Sequence, residues 1–264
     1  MARMVIFGLG YTASRIARLL YASGWQVDAT GRAGNLDFAD DRAMRDALSR
    51  ASHVLSSVPP ADEADPVLER YGDALGHDWL GYLSSTGVYG DTQGAWVDES
   101  SPTGTGRRTA RSDADAAWLA RDARVFRLPG IYGPGRSPLD RVRAGNATRI
   151  DLPGQVFSRV HVDDIASGVI AALDAPAGAY NLADDCPASA AEVTAEACRL
   201  LGVEPPRLLS LDEAGLSPAA RSFYSENRRV ANGKAKRVLG WQPRYPDYAS
   251  GLAAILAAEG TEGS

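Results

Sequence analysis

The run Met4-Val5-Ile6-Phe7-Gly8-Leu9-Gly10-Tyr11-Thr12-Ala13-Ser14-Arg15-Ile16-Ala17 decides the fold. Its first four residues are apolar without alternation, as in a strand covered on both faces, and Ile16, Leu19 and Leu20 then recur at helical spacing. Between them stands Gly8-x-Gly10-x-x-Ala13. A strand that turns through glycines straight into a helix leaves the first N–H groups of the helix unpaired, and those donors suit a pyrophosphate. Gly8 permits the turn, Gly10 has no Cβ to block approaching phosphates, and Ala13 is small enough for close helix–strand packing. Tyr11 and Thr12 belong to the same donor-bearing first turn. The flanking strand and helix are the context in which this short pattern signifies dinucleotide binding.

Outward from that run, strands alternate with helical patterns, which predicts βαβ units and a parallel sheet. Strands are expected at Gln26–Thr30, His53–Val58, Trp79–Ser84, Arg124–Leu128, Val156–Val160 and Tyr180–Leu182. Helices are expected at Arg42–Ser49, Pro66–Leu75, Arg108–Ala120, Asp164–Leu173 and Ala190–Leu201. Pro129–Gly135 reads as a loop at a strand's carboxyl end, where ligands bind in such sheets. The fold class is therefore α/β, a Rossmann-type doubly wound parallel sheet with a small C-terminal substrate-binding lobe. Residues 1–182 form the dinucleotide-binding part and 183–264 the lobe, to which part of 134–158 contributes; the tail from Glu259 is expected to be unstructured.

The 264 residues suffice for one large core with a small appended lobe. A net charge of −5, with arginines scattered among acids, argues against nucleic acid as a partner. No apolar run approaches the roughly 18 residues of a membrane span, and no leader precedes the first strand, so a cytoplasmic location is expected. Cys186 and Cys198 match no zinc spacing, and no metal is expected. Lysine is confined to Lys234 and Lys236.

The exit of the second strand selects the cofactor, because the adenosine ribose lies there. Asp28, twenty residues after Gly8, falls inside the strand, whereas Gly31-Arg32 occupies its exit. A guanidinium can hold a 2′-phosphate bidentately and Gly31 offers no acceptor for a 2′-hydroxyl, so NADP(H) is favoured over NAD(H).

Four later segments occur in order: Leu83-Ser84-Ser85-Thr86-Gly87-Val88-Tyr89-Gly90, Arg127-Leu128-Pro129-Gly130-Ile131-Tyr132-Gly133-Pro134-Gly135, Arg159-Val160-His161-Val162-Asp163-Asp164, and Tyr180-Asn181-Leu182. With the glycine turn they make the chain resemble the extended short-chain dehydrogenase/reductases, the NAD-dependent epimerase/dehydratase group, and its atypical branch in particular. The resemblance spans essentially the whole chain. It implies that Asp37 meets the adenine amino group, that Ser57 and Pro59 border the cofactor at the end of a strand, and that a homodimer forms through helices flanking the sheet.

The resemblance also implies a catalytic Ser, a Tyr and a Lys four residues after it. Ser85 matches the first. The segment Thr105-Gly106-Arg107-Arg108-Thr109-Ala110-Arg111-Ser112-Asp113-Ala114 contains neither of the others. Arg108 or Arg111 could replace the positive charge, but a guanidinium does not trade protons at neutral pH. Ser85 with Tyr132 and Thr86 are the catalytic candidates that remain, and Tyr89 is a further phenol. His161 reads as a structural histidine. Arg136, Arg143, Arg159, Arg221, Arg228 and Arg229 could neutralise a diphosphate or carboxylate in the lobe. Two functions stay open: an NADP(H)-dependent oxidoreductase, epimerase or dehydratase acting on a nucleotide-sugar or small carbonyl compound, and a non-catalytic NADP(H)-binding regulatory or redox-sensing protein.

Overall fold

The computed structural model describes residues 2–61, 64–107 and 109–262. β1 (Arg3–Phe7) passes through Gly8–Gly10 into α1 (Tyr11–Ala22), followed by β2 (Gln26–Ala29), α2 (Asp41–Arg50), β3 (His53–Ser56), α3 (Pro66–Tyr71) and β4 (Trp79–Ser85). A short strand, β5 (Trp96–Val97), precedes α4 (Thr109–Leu119) and β6 (Arg124–Leu128). Next come β7 (Gly130–Tyr132), α5 (Pro138–Arg143), β8 (Arg149–Ile150), β9 (Arg159–His161), α6 (Val162–Ala171) and β10 (Gly178–Asn181). The remainder is α7 (Ala190–Leu201), β11 (Leu208–Leu209), α8 (Pro218–Ser222), β12 (Arg229–Val230), α9 (Gly233–Leu239) and α10 (Tyr248–Glu262).

Six strands form one parallel sheet in the order β10-β6-β4-β3-β1-β2. The chain steps outward from β1 to β2 and then crosses back over β1 to β3, so a crevice opens at the carboxyl ends of β1 and β3. Their register pairs Phe7 with Ser56, which sets Gly8 beside Ser57. The consecutive apolar residues of β1 serve two layers. Met4 and Ile6 pack with Ile16 and Leu20 of α1 and Ile165 and Val169 of α6 on one face. Val5 and Phe7 pack with Met44, Tyr71, Tyr82 and Trp118 on the other. Beside β2, a bridge joins Thr30 to Leu36.

Three expectations need correction. Pro129–Gly135 is not all loop, since β7 runs parallel to β9 with Gly130 opposite Arg159 and Tyr132 opposite His161. The strand expected from Val156 starts only at Arg159, because Phe157 is instead bridged to Ala188. The tail from Glu259 is helical as far as Glu262, and Glu259 is ion-paired with Arg143 of α5 at 2.6 Å. α5, α7 and α10 share a third cluster of Tyr132, Leu139, Val193, Ala197, Leu252 and Ile255 beside the sheet's main layers. Among the described residues no helix is long and apolar enough to cross a membrane, and no group of three His, Cys, Asp or Glu side chains is placed to hold a metal ion.

Candidate dinucleotide site and adjoining cleft

The glycine turn is fixed by its own backbone. Gly8 has φ +85°, its N–H donates to Thr30 Oγ1 at 3.0 Å, and Leu9 N–H donates to the Thr30 carbonyl at 2.7 Å. Gly10 N–H turns back to the Gly8 carbonyl at 2.8 Å, and the first helical bond runs from Ser14 N–H to the Gly10 carbonyl at 2.9 Å. The N–H groups of Tyr11, Thr12 and Ala13 therefore have no acceptor within the helix. Side chains of Asp40, Asp65, Ser137, His161 and Ser189 cap α2, α3, α5, α6 and α7, but Gly10 brings no side chain to α1 and its first turn holds no acid. A Cβ built on Gly10 meets nothing within 4 Å. An uncapped helix start with open space before it and no acid in its first turn fits a pyrophosphate.

The crevice walls place the other expected cofactor residues at strand ends. Gly31, φ +108°, lies so close that a Cβ would come within 3.0 Å of Leu9 N, which leans the 31–34 loop on the turn. Asp28 is committed within β2, ion-paired with Arg3 at 3.0 Å and accepting from Asn35 Nδ2 at 2.8 Å. Arg32 is exposed, and its guanidinium has no hydrogen-bond or ion-pair partner among the described residues. Asp37 is exposed and uses Oδ1 to accept Ala39 N–H at 2.9 Å. Ser57 is half-buried and Pro59 exposed past the end of β3.

At the end of β4, Ser85 Oγ accepts Gly87 N–H at 3.1 Å, which leaves the hydroxyl proton available for donation. Thr86 is buried at the start of the short turn Thr86–Tyr89. The 104–107 strand of loop lies directly on that turn: a side chain on Gly106 would run into the Gly87 carbonyl, and Thr105 Oγ1 donates to the Tyr89 carbonyl at 3.0 Å. Arg107 is held by Glu226 at 3.1 Å and Ser222 Oγ at 2.6 Å. Arg108 lies outside the described residues. Arg111 donates to Tyr82 Oη at 3.1 Å, a contact the sequence reading missed because Tyr82 sits inside an apolar strand. Burial pushes the Tyr82 phenol up to about 12 despite Arg111, and its ring is fully enclosed.

Tyr89 is a structural phenol. It donates to Asn181 Oδ1 at 2.8 Å and accepts from Arg127 at 3.0 Å, within a buried network in which Arg127 also clasps Asp115 at 2.7 and 3.1 Å and Asp115 accepts from Ser84 Oγ at 2.6 Å. Among the described residues no hydrogen bond joins Tyr132 to Ser85. Its ring packs edge-on to His161, its hydroxyl is directed to the Asp247 carbonyl at 3.4 Å, and burial holds its proton more tightly than usual. His161 caps α6 through Nδ1, which accepts Asp163 N–H at 3.2 Å, and burial lowers it to about 4.

The structure separates the six arginines considered for the lobe. Arg143 pairs with Glu259, Arg221 with Asp212 at 2.7 Å and Arg228 with Glu226 at 2.9 Å, while Arg229 donates to the Gly94 carbonyl. Arg136 and Arg159 instead border a cavity of about 450 Å³. Asp184, a carboxyl missed from the sequence, is buried next to Arg159, whose carbonyl accepts its N–H at 2.7 Å. Its Oδ2 has no hydrogen-bond partner among the described residues, and burial pushes the carboxyl up to about 7 against the pull of Arg159. An acid just past a buried strand was the only trace of it in the sequence.

The reversal of strand order at an open glycine turn makes this a Rossmann-type doubly wound sheet, the fold shared by solved NAD-dependent epimerases and dehydratases. Human epimerase family protein SDR39U1, solved with NADPH, shares that fold with a TM-score of 0.75 at 19% identity, covering 97% of this chain and 99% of that one. A functionally unknown conserved protein from Silicibacter pomeroyi DSS is 40% identical, with a TM-score of 0.88 over 98% of this chain and 99% of its own, and this chain belongs to its family. Protein YeeZ of Escherichia coli (strain K12) is 28% identical over 284 residues, 94% of this chain and 97% of YeeZ. No protein-family model matches.

Proposed function

We propose that the chain binds NADP(H) in preference to NAD(H) and acts as an oxidoreductase on a small carbonyl compound or nucleotide-sugar. The observation that carries this reading is the unpartnered Arg32 next to an uncapped helix start, with the alternative ribose ligand Asp28 tied inside its strand. The NADPH bound by SDR39U1 agrees with it. Tyr11, Thr12 and Ala13 donate backbone N–H groups to the pyrophosphate, Arg32 holds the 2′-phosphate, and Asp37 accepts from the adenine amino group, with Ser57 and Pro59 bordering the crevice. A bound nicotinamide supplies or takes the hydride. Ser85 donates a hydrogen bond to the substrate oxygen, Arg111 contributes positive charge without exchanging a proton, and the proton that balances the hydride is exchanged with solvent water. Proton transfer from a positioned side chain is worth typically about 10² to 10⁴-fold, so turnover without a phenol in that role is slow. Residues 1–182 carry the cofactor, and 183–264 with part of 134–158 carry the substrate.

Competitive titration tests the cofactor assignment. Arg32→Ala is expected to weaken NADPH about tenfold, the value of one charge-assisted contact, and to leave NADH unchanged. Equal affinity for both cofactors in the parent and in Arg32→Ala contradicts it. The missing Tyr and Lys favour a second reading, a cofactor-binding regulatory protein. NADPH oxidation across a panel of aldehydes, ketones and nucleotide-sugars separates the two. Turnover lost in Ser85→Ala supports the enzyme, and tight NADPH binding with no turnover supports the regulator.

A further inference from the structure

Resting on the oxidoreductase reading, we propose that the cavity bounded by Arg136, Arg141 and Arg159 holds the anionic end, a carboxylate or phosphate monoester, of a compact substrate. Three arginines from three elements line it, from the loop after β7, from α5 and from β9. Neither Arg136 nor Arg141 has a hydrogen-bond or ion-pair partner for its side chain among the described residues. Arg159 donates to the carbonyls of Phe157 and Ala188 at 2.8 and 2.9 Å and has no carboxylate within ion-pair distance among the described residues; burial opposes its charge, the nearby Asp184 supports it and Arg141 opposes it. The one acid in the lining, Asp140, is spent on α5, where it accepts from Ser137 N–H at 2.7 Å and Ser137 Oγ at 2.8 Å. Clustered cations of one sign, one of them largely desolvated, attract a counter-anion, and arginine forks match carboxylate and phosphate oxygens.

The lining begins at Gly130, two residues past Leu128, the partner of Ser85 in the sheet. Arg136 stacks over the ring of Tyr11 at 5.8 Å, and Tyr11 Oη donates to the Pro134 carbonyl at 3.1 Å. The loop that carries Arg136 thus rests on the residue following Gly10, so anion cavity and dinucleotide turn adjoin. A volume of about 450 Å³ with aromatic walls from Tyr132 and Tyr248 suits a substrate of modest size.

Calorimetric titration of the full chain with phenyl phosphate, phenylacetate and neutral benzyl alcohol, with and without saturating NADPH, tests the proposal. At least one anion is expected to bind about tenfold more tightly than the alcohol, and Arg141→Ala and Arg136→Gln to remove that advantage. Which anion binds more tightly distinguishes phosphate from carboxylate. Arg141 is exposed and unpaired, so its replacement leaves the fold intact. The proposal is overturned if both anions bind no better than the alcohol, if both variants bind them like the parent, or if NADPH displaces them competitively. Arginine-dependent anion binding without any NADPH binding would sustain the cavity and refute the cofactor reading.

Discussion

Gly8 and Gly10 stand two residues apart and answer to different forces. Gly8 is required by the fold: its φ of +85° is the left-handed region, and a Cβ would also press on Val58 Cγ2 at 3.1 Å. Gly8→Ala should therefore cost about 1–2 kcal/mol or more, read as a lower urea midpoint at unchanged slope. Gly10, at φ −93° with nothing near its missing Cβ, has no such structural reason to be glycine. Asp184 offers a second test at this scale. Its folded-state carboxyl is held to about 7 against 3.8 ordinarily, so between those values the folded chain binds the extra proton and stability falls as pH rises. His161 works in the opposite direction, since its lowering from 6.5 to about 4 costs stability as pH falls through that interval. Asp184→Asn removes only the first effect. Above pH 7 it should be more stable than the parent by up to a few kcal/mol, and near pH 4 equal to it. The same stability difference at both pH values would contradict the assignment.

Between elements, the buried chain Ser84–Asp115–Arg127–Tyr89–Asn181 ties α4, β4, β6 and β10 together just below the cleft. Removing one charge leaves the other buried and unpaired. Arg127→Met should cost about 3–5 kcal/mol, while replacing Arg127 and Asp115 together by apolar residues of similar volume should cost less. A double variant as unstable as the sum of the singles would refute the coupling. This network also shows where sequence reading stops. β1, β3, β4 and β6 were legible because apolar runs covered on both faces cannot be mistaken for surface. β7 was not, since Gly130-Ile131-Tyr132 sits among prolines and glycines and gains its strand character from β9, a distant segment. The glycine turn was legible because local backbone geometry demands it, whereas Ser85 was named only through the family resemblance. Arg111–Tyr82 and Asp184–Arg159 were not legible, because each pair joins residues whose nearness is created by packing.

Across the whole molecule, the switch in strand order brings a donor-bearing turn, Arg32 and the Ser85 hydroxyl to the carboxyl edge of the sheet, and the cavity lined by Arg136, Arg141 and Arg159 lies beside them. The arginine-rich composition hid that cavity in the sequence, where Arg143, Arg221 and Arg228 looked equivalent to Arg136 and Arg159 until their carboxylate partners were seen. The claim on which everything else rests is that the Gly8–Ala13 turn receives a dinucleotide pyrophosphate. NADPH affinity measured by fluorescence titration on the parent and on Gly10→Ala, with melting temperatures recorded alongside, tests it most directly. The account predicts that Gly10→Ala melts with the parent yet loses at least about tenfold in NADPH affinity, because the added methyl occupies the phosphates' approach. Unchanged NADPH affinity in a fully folded Gly10→Ala protein would contradict it.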